Sequence, residues 1–182
     1  MPVIYVDTSD VDRLFEELSK VLSPSVMRPA MAAALNRTLT YVNAETKREV
    51  KKEYYITKSP AGQVKRATSG DLTAYTKYTG SPQPLHMFKH RAAANRYRSP
   101  VSVLVKKDNG WATHEGSNPA MFKGYGKIML RDGGQRGLRT AHTLSVPQMV
   151  SNPDVFKVIG EKAAVKLYER LVHEVEWRLG ML

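Results

Sequence analysis

The chain has 182 residues, a formal net charge of +11 and no cysteine, which excludes a disulfide framework and a thiolate metal site. A chain of this length suits one domain and buries roughly 70% of its unfolded surface, enough for a core that needs no staples. The charge is lopsided: residues 54–153 carry fifteen Lys and Arg against four acids, Asp71, Asp108, Glu115 and Asp132, while the two flanks are balanced.

The opening Met1-Pro2-Val3-Ile4-Tyr5-Val6-Asp7 has no basic stretch and too short an apolar run for a signal peptide. No segment approaches the ~20 apolar residues that span a bilayer, so the expectation is a soluble protein made in a cytoplasm. A short helix comes first. Val11, Leu14, Phe15, Leu18, Val21 and Leu22 form one apolar stripe, Ser9 can cap it, and Ser23-Pro24 ends it. A long helix follows from Ala30 to about Tyr54, with Pro29 in its first turn and Met31, Leu35, Val42, Val50 and Tyr54 near one face. Its end alternates in sign, with Glu45–Arg48 and Glu49–Lys52 placed to pair, which reads as a solvated or partner-facing surface.

From Ser59-Pro60-Ala61-Gly62 onward, Gly, Pro and Thr punctuate short β-type runs. Residues 72–78 alternate, Pro84–Phe88 reads as a short extended piece, and Val101–Val105 is the best strand, followed by an Asp108-Asn109-Gly110 turn. Tyr125–Arg131 and Arg136–Thr143 flank Asp132-Gly133-Gly134-Gln135 as a hairpin. Residues 89–99 are rich in cations and poor in apolar bulk, and read as a mobile or partner-ordered loop. Asn152 and Pro153 then start a closing amphipathic helix whose stripe is Val155, Phe156, Ile159, Ala163, Leu167, Leu171, Val175 and Leu179. Lys157–Glu161, Arg170–Glu174 and Glu174–Arg178 stand at i, i+4 on its other surface. The expected fold is α+β in one domain, residues 1–182: a short and a long helix over 1–56, a basic, mainly antiparallel β-sheet centre over 57–151, and a C-terminal amphipathic helix over 152–182.

No constellation points to catalysis. His86 and His90 have metal-ligand spacing but no nearby carboxylate, and His114-Glu115 lacks the second His of a zinc-protease motif. Gly124-Tyr125-Gly126 is a fragment of a phosphate loop and reads as slack before a strand. Glu45, Glu49 and Glu53 are interleaved with four cations, as on a solvated face, and no Ser lies in a Gly-x-Ser-x-Gly elbow. The expectation is no enzyme, no metal and no cofactor.

The basic centre is the feature that asks for a partner. From Leu72 to Lys107 there are seven Lys or Arg and no acid, interleaved with Tyr75, Tyr78, Phe88 and Tyr97. Phosphates or acidic side chains would meet the cations, and the aromatics could stack on single strands or serve as core. The candidate DNA- or partner-contacting residues are Lys77, Lys89, Arg91, Arg96, Arg98, Lys106 and Lys107; the candidate subunit-interface residues are Tyr41, Tyr54, Tyr55, Phe122 and Tyr125.

In order and spacing, several segments resemble the minor tail protein Z family of tailed bacteriophages, also described as tail-completion or neck proteins. The carriers are Ala32-Ala33-Ala34-Leu35-Asn36-Arg37, then Glu45-Thr46, Pro84-Leu85-His86-Met87-Phe88, Pro119-Ala120-Met121-Phe122 leading into a strand that ends at Arg131, Leu144-Ser145-Val146-Pro147-Gln148-Met149, and the closing helix. The resemblance spans about Val11 to Leu179. Part of the family carries a longer Arg-rich tract where this chain has Arg91, Arg96 and Arg98. The resemblance implies a structural virion protein assembled in the host cytoplasm. It implies a homo-oligomeric ring, a hexamer, at the head-proximal end of the tail, beside the tail terminator and the head connector, around the channel that passes the DNA. The alternative is a stand-alone basic DNA-binding protein without catalytic activity.

Overall fold

A computed structural model of the protein describes residues 13, 16–18, 20, 22–92, 101–114, 120–131 and 137–180. The fold is α+β: a long helix near the N-terminus, several antiparallel sheets in the middle and a C-terminal helix. The chain divides into two compact units, one of residues 1–48, 61–79 and 150–182, the other of residues 49–60 and 80–149. The second unit holds fourteen Lys and Arg against five acids, a net of +9, which leaves +2 for the first. The lopsided charge of the sequence is thus largely the charge of one structural unit.

In the first unit, residues 13, 16–18 and 20 are helical, and Leu22 N–H donates to Leu18 O at 2.8 Å. The rest of the expected stripe (Val11, Leu14, Phe15 and Val21) and its cap Ser9 lie outside the described residues. Helix α1, Pro24–Glu53, begins six residues before the expected start. Ser23 O accepts from Val26 and Met27 N–H, so Pro24 opens this helix at the position where a missing N–H costs nothing. The Ser23-Pro24 stop is therefore also a start, and Pro29 sits inside the helix.

Of the expected stripe, Met31, Val50 and Tyr54 are buried, as are Met27, Ala30, Ala32, Ala34, Thr38 and Leu39, whereas Leu35 and Val42 are only half-buried. Met27, Ala30, Met31 and Ala34 form one cluster with Leu167, Leu171 and Val175 of the closing helix α3, Pro153–Leu179. The alanines of α1 bring little bulk of their own to this core, which α3 fills with leucines. Helix α3 starts as expected: Pro153 is at N1 and the Asn152 side chain accepts from Asp154 N–H. Val155, Ile159, Ala163, Leu167, Leu171 and Val175 are buried; Phe156 is half-buried and Leu179 is exposed. Glu174 is buried as well, paired with Arg37 and Arg178 and not with Arg170. Lys157 and Glu161 make no ion pair among the described residues.

The end of α1 departs from a solvated face. Arg48–Glu45 and Lys52–Glu49 pair as expected, yet Glu45, Thr46, Glu49 and Val50 are buried. Lys162 of α3 reaches Glu45 Oε2 at 2.8 Å, so the carboxylate is drawn inward between two cations. That hydrogen bond, helped by Arg48 and opposed by burial, holds the Glu45 carboxyl below its ordinary value. Strands β1 (Gln63–Lys65) and β2 (Tyr75–Lys77) pair antiparallel, Gln63 opposite Lys77. The segment joining them is tied to α1 by side chains: Asn36 Nδ2 donates to Ala67 O and its Oδ1 accepts from Ala67 N–H, both at 2.9 Å, and Arg28 donates to Ser69 O and Gly70 O. Two residues of the Ala32–Arg37 segment thus act structurally, Asn36 as a two-way clamp and Arg37 as a partner of buried Glu174.

In the second unit, β3 (Pro82–Pro84) pairs antiparallel with β10 (His142–Ser145). Between β3 and β4 (Lys89–Arg91), Leu85–Met87 form a 3₁₀ turn where an extended piece was expected. Phe88 N–H closes it on Leu85 O at 3.0 Å, which buries the Phe88 ring at 2% exposure. Strands β5 (Val101–Leu104) and β6 (Ala112–His114) extend β4 into an antiparallel sheet, with Gly110 at φ 68 in the turn. Strands β7 (Ala120–Gly124) and β8 (Lys127–Arg131) form a hairpin, and β9 (Leu138–Thr140) pairs with β8. Tyr125 belongs to the two-residue turn, not to a strand: Tyr125 at φ 51 and Gly126 at φ 73 are the left-handed pair that a tight hairpin needs. The 132–135 turn lies outside the described residues. Short helix α2, Val146–Val150, follows β10.

Candidate functional site

The β4–β5–β6 sheet builds a row of stacked cations and aromatic rings. Its register sets Lys89 opposite Leu104, Arg91 opposite Ser102, and Ser102 opposite Thr113. Side chains alternate along a strand, so Lys89, Arg91, Ser102, Leu104 and Thr113 share one side, and so does Trp111, two residues before Thr113. The Ser102–Thr113 hydroxyl contact of 2.9 Å fits that assignment. Val101 and Val103, on the other side, are buried.

A second segment lies alongside. Tyr55 N–H donates to Val105 O and Lys107 N–H donates to Glu53 O, so the residues after α1 run antiparallel to the continuation of β5. Tyr54 and Lys106 bridge there. This pairing brings Tyr55 beside the sheet although 56 residues separate it from Trp111 in sequence. The cations interleave with the rings: Lys107 Nζ is 5.0 Å from the centre of Tyr55, Lys89 Nζ is 4.8 Å from Tyr55 and 5.9 Å from Trp111, and the Arg91 guanidinium carbon is 4.3 Å from Trp111. The order is Lys107, Tyr55, Lys89, Trp111, Arg91.

Each such contact stabilises by about 0.5–1 kcal/mol at an exposed site, and together they fix side chains that would otherwise be mobile. Lys and Arg each lose ~2 kcal/mol of rotamer entropy on being immobilised, so part of that cost is met before any ligand arrives. Lys89, Arg91 and Lys107 are exposed and make no ion pair among the described residues. Their ammonium and guanidinium N–H groups stay available. The row is therefore a pre-organised receptor for carboxylate or phosphate, and Arg91 can take either in bidentate fashion. Each ring already has two of the chain's own cations within 6 Å of its centre. Base stacking would have to displace them, so anion contact fits the geometry better than the stacking platform suggested by sequence.

Of the other sequence candidates, Lys106 lies at the row but is half-buried, 3.8 Å from Glu53. Lys77 is exposed at the end of β2 in the first unit. Arg96 and Arg98 lie outside the described residues. The expected 89–99 loop begins with strand β4, since Lys89–Arg91 pair with β5. Tyr54 is buried at 5% exposure, Phe122 is half-buried in β7, and Tyr125 is 90% exposed at the hairpin tip. Tyr41 is half-buried on α1, with Lys166 Nζ 5.7 Å from its ring. Trp111 was not among the sequence candidates. Its signal was its place directly after the Asp108-Asn109-Gly110 turn, which sets it across the sheet from β4.

A second polar group lies around the 3₁₀ turn. His86 Nδ1 is buried without a hydrogen-bond partner among the described residues. Burial, with Lys127, His90 and His142 nearby, lowers the His86 pKa from its ordinary 6.5. The unfolded chain binds the proton more readily, so this contribution to stability is complete above pH 6.5 and is lost as pH falls from there through the folded value. Urea melts are expected to show a midpoint that declines on acidification below neutrality, and a smaller decline in His86→Gln. Equal declines in both proteins would contradict the assignment. Among the described residues, no three His, Asp or Glu converge as for a metal ion, and no helix is long and apolar enough to cross a membrane.

No family model matches the chain, and no curated protein or solved structure matches it.

Proposed function

We propose that this chain is a non-catalytic assembly protein of a tailed-phage virion: a tail-completion protein that forms a homo-oligomeric ring at the neck, beside the tail terminator and the head connector. The observation that carries the reading is the cation–aromatic row on a unit of net charge +9. Cations held on aromatic supports, without carboxylate partners among the described residues, make a surface suited to an anionic neighbour. Copies at +11 repel one another, and with a Debye length of about 8 Å at physiological salt the countercharge has to sit close. The resemblance in segment order to the minor tail protein Z family suggests the virion context and the expected six copies. Purified protein, alone or mixed with tails, is expected to give rings in electron micrographs and by light scattering. A strictly monomeric protein that never copurifies with tails would overturn the reading.

The same row favours a second reading, a stand-alone DNA-binding protein. Duplex DNA affinity should then fall steeply with salt, by about 0.9 log unit per log unit of salt for each phosphate contacted. Replacing Lys89, Arg91 and Lys107 by Ala should reduce that slope by about 2–3. An unchanged slope would mean that the row does not meet phosphate, leaving acidic protein as its neighbour.

A further inference from the structure

Helix α3 has two apolar faces. One is the core stripe already described. On the opposite side Val158, Val165, Val172 and Leu179 recur every seven residues, with Tyr168 beside them. At 3.6 residues per turn these positions form one row. Val165 is 62% exposed, and Tyr168 and Leu179 are each 45% exposed. The row is flanked by Glu161, Glu169 and Glu176, all exposed; Lys157 stands on the same side, and Glu169 is paired with Lys166. A face that is both apolar and acidic is conspicuous on a chain of net charge +11.

We infer that this face docks on the cation–aromatic row of a second copy, in a head-to-tail contact. Three features fit. The signs are complementary, acids on α3 against Lys89, Arg91 and Lys107, whereas two α3 faces brought together would set carboxylates against carboxylates. The chemistry matches: Tyr55, 36% exposed beside its cations, leaves apolar surface for Val165 and Tyr168, and the cations offer N–H groups to Glu. The lengths are compatible. Glu161 to Glu176 spans about 22 Å at 1.5 Å per residue, and the ring–cation separations limit the row to about 20 Å end to end. A contact between two different patches of one chain is heterologous, and repeated it closes into a ring where the rotation permits.

The inference rests on the homo-oligomer part of the proposed function, and a pair of variants tests it. Helix-face variant Glu161→Lys/Glu169→Lys/Glu176→Lys keeps a native row; row variant Lys89→Ala/Arg91→Ala/Lys107→Ala keeps a native helix face. All six positions are exposed. In sedimentation velocity the wild type is expected to self-associate and to dissociate as salt rises, and each variant alone to be monomeric. An equimolar mixture should stop at a 1:1 dimer, because one native face and one native row remain. That dimer also proves both variants folded. Single substitutions Glu169→Lys and Arg91→Ala should each weaken wild-type association by about tenfold. Wild-type protein that is monomeric at low salt, either triple variant assembling like wild type, or single substitutions without effect would overturn the inference. The failures are separable. Protein that assembles by this contact yet never joins tails removes the virion role alone, while protein that joins tails with both variants still assembling removes this contact alone.

Discussion

Leu171→Asp is expected to leave the first unit unfolded under native conditions. Leu171 has no exposed surface and sits between Met27, Ala30, Met31 and Ala34 of α1 and Leu167 and Val175 of its own helix. Truncation to Ala at such a site costs about 2–5 kcal/mol, from lost transfer energy and the cavity left behind. Asp adds a carboxylate with no partner in an apolar surround, at a further cost of several kcal/mol. Against a total stability of roughly 5–15 kcal/mol, the sum removes most or all of the margin. Circular dichroism and a urea melt provide the check. A cooperative transition with a near wild-type midpoint would mean that the two long helices do not share this core.

The second large effect is expected at Arg178. Its Nη1 donates to Glu174 Oε2 at 2.6 Å and to Glu174 O at 3.0 Å, while Nη2 donates to Pro29 O at 3.3 Å. Glu174 is 3% exposed. Its other partner, Arg37, brings Nε within 2.8 Å of Oε1 but off the hydrogen-bonding axis, and the Arg37 side chain is 56% exposed. Arg178→Met therefore leaves a buried carboxylate with a single, partly solvated countercharge. The expected loss is about 3 kcal/mol, which for a chain of this size lowers Tm by roughly 6–12 °C. Arg178→Met/Glu174→Met removes both charges and is expected to recover much of the loss, because a buried pair replaced by apolar groups is often neutral. If the single variant loses under about 0.5 kcal/mol, water already solvates Glu174 and the pair is a surface one.

The helical frame was legible where local chemistry decides it. Asn152-Pro153 marks the start of α3 because capping and the missing proline N–H act within one turn, and the α3 stripe repeats over six turns. The start of α1 was misplaced because a Ser-Pro pair punctuates in both directions: it ends one helix and opens the next. The buried side of α1 was legible in part: Met31, Val50 and Tyr54 are buried, but Leu35 and Val42 are half-buried, because the core shared with α3 is built on alanines and methionines facing leucines of α3. Glu45 and Glu49 looked solvated because the cation that draws Glu45 inward, Lys162, is 117 residues away. The cations of the candidate site were legible as composition, but their arrangement was not. Strand β4 is three residues of Lys, His and Arg without apolar alternation, and pairing alone brings Tyr55 and Trp111 to it.

The first unit is assembled from three separate stretches of chain, the last of them residues 150–182. On the ribosome the consequence is one of timing. Residues 49–60 and 80–149 of the second unit are complete before α3 has been made. On α1, Met27, Ala30, Met31 and Ala34 can meet Leu18, Leu22 and Leu72 early, but their main partners Leu167 and Leu171 emerge more than 130 residues after Ala34. At 5–20 residues per second that wait is on the order of ten seconds. Translation of α3 is therefore the step that closes the core, and a chain cut short before Pro153 carries its basic unit but leaves Met27 and Met31 open to chaperones and proteases.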